Sequence, residues 1–297
     1  MIRTLAGGHL SERAKRNLSG YVMLLPEILV FGVFLVYPLI RGMLNSFYSF
    51  KGPTPVWTGL ANFTSVFHDD LFWIALKNTS VYTVLVVPGG ILVALVTSWL
   101  IYPLGDRAQT FYKGAFYLPG VVSGVVVGLS WKWIFEPTSG LFNYILSLVH
   151  LGPVPWLTSP NTALYSLVLM VIMGGQGASI VIILANMMAI SQSIFESARL
   201  DGCNSFQLLV RIMIPLLRPV ILYLTVLGVI GSYQVFDSIF VMTSGGPYRS
   251  TTTLSYLIYQ SAFQFFEFGK ASAMAALLFL IVFGLSVIQF RFFREDV

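Results

Sequence analysis

The sequence predicts an all-α membrane protein with six transmembrane helices and a helix pair on the cytoplasmic side between the fourth and fifth. Two observations lead there. Hydrophobic residues make up 56% of the 297 residues and charged residues only 10%, where a soluble domain carries roughly a quarter charged. Six stretches, at about 21–44, 79–101, 112–135, 162–188, 216–242 and 271–293, are long and apolar enough to cross a bilayer, which takes about 20 residues. Each is expected to be helical, because lipid offers the backbone no hydrogen-bond partner.

The first span follows a basic tail, residues 1–20, that holds Arg13, Lys15 and Arg16. The apolar run continues to Leu44, too long for a signal-peptide core, and no small-residue cleavage site follows, so the span reads as retained. Residues 21–297 form the membrane domain. Pro38, Pro88 and Pro119 fall in or near spans and read as kinks that neighbouring helices tolerate. Phe50–Lys77 and Glu136–Asn161 carry Pro, Gly and Asn and read as structured outer loops with a short helix each. No internal repeat and no low-complexity tract interrupts this plan.

Orientation follows from the Lys and Arg count. With the N-terminus inside, the cytoplasmic segments hold Arg3, Arg13, Lys15, Arg16, Arg107, Lys113, Arg199, Arg211, Arg218, Arg291 and Arg294, eleven of the 17. The other side holds Arg41, Lys51, Lys77, Lys132, Arg249 and Lys270. Both termini are therefore expected in the cytoplasm. Trp57, Trp73, Trp131, Trp133 and Trp156 all fall on the outer side, as belt anchors or as local packing.

The net charge of +5 belongs with that asymmetry and does not argue for nucleic acid. No arginine-rich face or RNA-binding aromatic signature accompanies it. The lone Cys203 excludes an internal disulfide and a Cys-based metal site. His9, His68 and His150 lie in the tail or outer loops, and no span carries a paired acid motif, which argues against an intramembrane enzyme. Gly174-Gly175-Gln176-Gly177 lacks the Lys-Ser/Thr of a phosphate loop, and close helix packing is the better use of its glycines.

Residues 190–215 are too long for a turn between spans. Ile194, Ala198, Gly202, Phe206, Leu209 and Met213 recur at helical spacing and give one apolar face. Glu196, Arg199 and Asp201 lie off it. Asp201-Gly202 reads as a helix break, with Asn204 or Ser205 capping a second short helix. Such a pair either rests on lipid headgroups or sits in a partner's groove.

The same segment resembles the signature of ATP-binding-cassette (ABC) importer permeases: Glu-Ala-Ala, three residues, Gly, nine residues, then Ile-x-Leu-Pro. Here those positions are Glu196-Ser197-Ala198, Gly202 and Ile212-Met213-Ile214-Pro215, with Ser197 for Ala and Ile214 for Leu. Ser191 stands where many relatives have Pro. Phe72-Trp73, Asn78-Thr79, Phe236-Asp237-Ser238-Ile239-Phe240 and Thr243-Ser244-Gly245-Gly246-Pro247 are similar to the maltose- and glycerol-phosphate-type subfamily. The likeness runs from Tyr21 through nearly the whole chain.

The resemblance implies a permease that pairs with a second homologous permease, two copies of an ABC ATPase and an extracytoplasmic solute-binding protein. This chain would hold no cofactor, and ATP and Mg would be bound by the ATPase. Glu196, Ser197, Ala198, Asp201, Gly202, Ile212 and Pro215 would belong to the docking element. Polar groups inside spans are costly and mark functional positions, so Gln176, Tyr233, Gln234, Phe236 and Asp237 are the candidate sugar contacts. On a continuous helix 233 and 237 share a face, with 234 about 100° away. The same groups suit helix–helix hydrogen bonding. A glycerol-phosphate importer of this architecture and a secondary transporter are the competing readings.

Overall fold

The Asp69 carboxylate caps the longest helix of the protein, accepting the Leu71 N–H at 2.9 Å. That capping bond sets the start of a 32-residue helix, Asp70–Ile101, nine residues before the expected span. The structure is a computed structural model and describes residues 12–294; residues 1–11 of the expected tail and residues 295–297 lie outside the described residues.

The helices in chain order begin with α1 (Glu12–Phe31), a π turn at Gly32–Val36 and α2 (Tyr37–Asn45). After them come α3 (Ala61–Phe67), α4 (Asp70–Ile101), α5 (Asp106–Tyr117), α6 (Gly124–Ile134) and α7 (Leu141–Leu148). Then follow α8 (Ala163–Gly174), α9 (Gly177–Ala189), α10 (Gln192–Leu200), α11 (Ser205–Leu208) and α12 (Ile214–Leu216). The chain ends with α13 (Arg218–Tyr233), α14 (Asp237–Met242), α15 (Leu254–Tyr259) and α16 (Phe268–Arg294). One antiparallel hairpin, β1 (Tyr48–Ser49) with β2 (Val56–Trp57), is the exception to an otherwise helical chain among the described residues. The two segments expected as outer loops each carry a short helix, α3 and α7.

Helix α4 is the axis of the bundle, packed by α8, α9 and α13. Its own buried hydroxyls are satisfied within the helix, Thr79 on the Ala75 carbonyl at 2.7 Å and Thr83 on that of Thr79 at 2.8 Å. Ser98 reaches across to the Ile180 carbonyl of α9 at 3.1 Å. Such pairing is required where no water is available. The Asp70 end of α4 is the upper end of the bundle and the Ile101 end the lower. At the lower end Ile101, Phe195, Leu208, Met213 and Leu217 share one apolar core. At the upper end Val66, Phe72, Leu254 and Met274 share another. A third, around Tyr82, Phe135, Leu167 and Ile239, joins α4 to α8 and α14.

Among the described residues three helices, Met23–Asn45, Asp70–Ile101 and Phe268–Arg291, are each long and apolar enough to cross a membrane; counting bent pairs as single spans raises the number to as many as six. The bent pairs correct three expected spans. The 112–135 stretch turns by 98° between Val121 and Gly124, where Pro119 opens a short 3-10 turn and Val122 is extended. The 162–188 stretch bends by 43° between α8 and α9. The chain bends by 70° at Leu217, and α13 then stops at Tyr233 rather than running to 242. Pro88 sits inside α4 without breaking it. Pro38 and Pro215 each lie just after a π turn, Gly32–Val36 and Leu209–Met213. A proline has no N–H to return, so the turn ahead of it is free to widen.

Candidate functional site

Two regions hold the residues that the sequence singles out. At the lower end, α10 ends in a Schellman turn: Cys203 N–H donates to the Ala198 carbonyl and Gly202 N–H to that of Arg199, both at 3.0 Å. That closure needs a left-handed residue, and Gly202 supplies it with φ +83°. Asn204, one of the two expected caps, starts α11 with a capping box. Its Oδ1 accepts the Gln207 N–H at 2.8 Å while Gln207 Oε1 accepts the Asn204 N–H at 2.9 Å. The result is helix, sharp turn, helix.

The buried face of this pair differs in part from the periodic stripe. Ala198, Leu209 and Met213 are buried as expected, but so are Phe195 and Leu208, while Ile194 is 41% exposed and Phe206 64%. The Gly202 turn re-aims the second helix, so one helical register does not run through both. Phe195 is anchored to the end of α4 by its contact with Tyr102, centroids 5.8 Å apart. Ile212 is half-buried against the same core, and Pro215 is exposed. Glu196, Ser197, Asp201 and Gly202 all face outward, and a Cβ added at Gly202 would meet open space. Beside them Leu200 is 89% exposed. The pair thus grips its own bundle with one side and leaves Ile194, Leu200, Phe206 and Val210 exposed.

The second region is a cleft of about 390 Å³ at the bends of three broken helices. Its walls are Pro119, Gly120 and Gly124 from the 98° bend, Gly174 and Gly175 from the end of α8, and Gln234, Phe236 and Asp237 from the break after α13. Gln176 lines an adjoining cavity of about 350 Å³ with Ser179 and Ser232. Its Nε2 donates to the Val171 carbonyl at 3.1 Å, and its side chain passes so close to Gly90 that a Cβ there would collide. The next residue, Gly177, lies against α5: an added Cβ would collide with the Phe116 carbonyl oxygen. Close packing is therefore what that glycine serves.

Of the five candidate contacts, Gln234, Phe236 and Asp237 come together in one cleft, Gln176 lies next door, and Tyr233 stands apart. Tyr233 is buried, with its hydroxyl 3.1 Å from Ser80 Oγ. The shared face of 233 and 237 assumed an unbroken helix, and the helix is broken between them. Sequence reasoning missed the wall at Pro119, Gly120 and Gly124, although the closely spaced breakers there were its signal.

No family model matches the chain. The lactose transport system permease protein LacF of Rhizobium radiobacter is 32% identical over 283 residues, covering 94% of this chain and 95% of that protein. This chain belongs to the sugar-type ABC transporter permeases. A second member, the sn-glycerol-3-phosphate transport system permease protein UgpA of Yersinia enterocolitica, is 29% identical over 285 residues, 93% of this chain and 94% of that one. Among solved structures, a bacterial ABC transporter involved in the import of the acidic polysaccharide alginate superposes with a TM-score of 0.83 at 26% identity, over 96% of this permease and 98% of that chain. The permease is thus a transporter subunit of the cytoplasmic membrane, and its bent helices belong to the ABC importer permease fold.

Proposed function

We propose that this permease moves a sugar of di- or oligosaccharide size into the cell by ATP-driven alternating access. It has six spans, the fifth starting at Arg218 beyond the helix pair, and both termini in the cytoplasm, so the lower end is cytoplasmic and the upper end external. It pairs with a second homologous permease, two copies of an ABC ATPase that bind ATP and Mg, and an external solute-binding protein.

The observation that carries this reading is the two-sided helix pair at 192–213. Phe195, Ala198, Leu208 and Met213 hold it to the core shared by α4, α9 and α13, so a push on the pair moves those spans. The pair also leaves Ile194, Leu200 and Phe206 exposed, apolar contacts for a groove in the ATPase. ATP closes the ATPase dimer, the docked pair shifts, and the spans rock between two states.

The cleft supplies the sugar chemistry. Phe236 offers a ring for a C–H face, while Gln234 and Asp237 offer partners for hydroxyls. No Lys or Arg is among its lining residues, which favours a neutral sugar over a phosphate-bearing solute. The test is uptake of a radiolabelled sugar panel by the reconstituted four-subunit complex with its binding protein. ATP-dependent accumulation of a neutral sugar supports the reading. Accumulation driven by an ion gradient without the ATPase, or of glycerol phosphate alone, defeats it.

A further inference from the structure

An aromatic series leads away from the cleft that Phe236 lines. The Phe236 and Phe240 rings stack with centroids 5.4 Å and planes 17° apart. Tyr259 sits against both, at 5.1 and 5.5 Å. Phe263 follows at 5.4 Å from Tyr259, and Phe268 at 6.4 Å from Phe263. These rings come from α14 and its cap, α15, the π turn Gln260–Gln264 and the first turn of α16. No single helical period lines them up. Phe240 and Phe268 are each 41% exposed and Phe263 63%, so the series is a surface rather than a core.

The surface is not bare hydrocarbon. Gln260 Nε2 donates to Gln264 Oε1 at 3.2 Å and to the Tyr256 hydroxyl at 3.4 Å, placing two amides beside the rings. The helix widens there into a π turn, a feature that collects at functional positions. The last ring opens on a small cleft lined by Ser49, Lys51, Asn62 and Glu267. Acyl chains on this face would bury those amides at a cost. Rings edged with amides instead match a sugar, whose C–H faces are apolar and whose rim is hydroxyls.

We propose that Phe240, Tyr259, Phe263 and Phe268 form an oligosaccharide-binding track from the external cleft at Lys51 and Glu267 to the Phe236 cleft. The proposal rests on the sugar-import reading. A chain long enough to lie on several rings gains more from the track than a disaccharide does.

The test places 4-trifluoromethylphenylalanine at position 263 of the full complex in nanodiscs and follows its fluorine resonance. The probes are lactose, raffinose and maltotetraose, with an aqueous gadolinium chelate and a lipid spin label as relaxation agents. The track predicts relaxation by the chelate, and a resonance shift with protection on adding an oligosaccharide that the wild-type complex takes up. Relaxation by the lipid label, silence toward both agents, or a chelate-accessible resonance that no sugar moves would each overturn it. In uptake, Phe263→Ala is expected to lower trisaccharide or tetrasaccharide transport by about three- to ten-fold relative to disaccharide. An equal loss for all lengths, or none, contradicts the track. A wild-type complex that transports no sugar overturns the import reading and the track together; a transporting complex with an unresponsive probe overturns the track alone.

Discussion

The Lys270 ammonium lies 2.6 Å from the Asp69 carboxylate, tying the first turn of α16 to the cap of α4 across 201 residues of sequence. Burial pushes the Asp69 carboxyl up, but the hydrogen bond from Lys270, the Leu71 N–H and the nearby positive charges outweigh it and hold it below its ordinary value. The same carboxylate caps the helix about which the bundle is built.

That depressed value fixes the sign of a pH effect. The bond stabilises the fold above the unfolded carboxylate value of about 3.9 and is lost as pH falls through the lower, folded value. Lys270→Met is expected to cost about 1 kcal/mol at neutral pH. The gap in unfolding midpoint between variant and wild type should narrow on acidification. A gap that widens in acid contradicts the assignment.

Position 202 separates the turn from the proposed docking role. Its φ of +83° strains any side chain other than Gly or Asn, yet a Cβ there touches nothing in this chain. Gly202→Asn should therefore leave folding and membrane insertion intact but reduce ATPase binding, and Gly202→Asp should abolish transport. Wild-type transport by the Asp variant, with the ATPase still bound, would remove Gly202 from the docking face.

The capping box is worth measuring by itself. Asn204→Ala removes the bond to the Gln207 N–H and is expected to cost about 1 kcal/mol. Hydrogen exchange should speed up over Ser205–Leu208 and stay unchanged in α10.

In the cleft, Gln234→Ala is expected to reduce sugar-stimulated ATP turnover with the complex still assembled. Tyr233→Phe should leave turnover nearly unaltered, because its hydroxyl meets Ser80 and not the cleft. The reverse order would exchange their roles.

Hydropathy made α4 and α16 legible, since length and apolarity are all that a straight span needs. It could not show direction, so the 98° turn after Pro119 read as part of one span. The break after Tyr233 has no proline to announce it, and the nearest glycine, Gly231, lies inside the last turn of α13. It is held from elsewhere: Ser255 Oγ donates to the Tyr233 carbonyl at 3.2 Å and Thr253 Oγ1 to that of Val235 at 3.1 Å. Hydroxyls 22 and 18 residues away take up carbonyls that a continuous helix would have used. Spacing marked residues 190–215 as a helix pair, while the turn at Gly202 decided which of its apolar residues face inward.

Cross-linking from Leu200 asks whether an ATPase covers the exposed side of the helix pair. A photoreactive phenylalanine at that exposed position, in the complex assembled in native membranes, is predicted to capture the ATPase subunit, with a yield that changes when ATP is trapped on the enzyme. Capture of lipid alone, with the ATPase present and never labelled, would contradict the account.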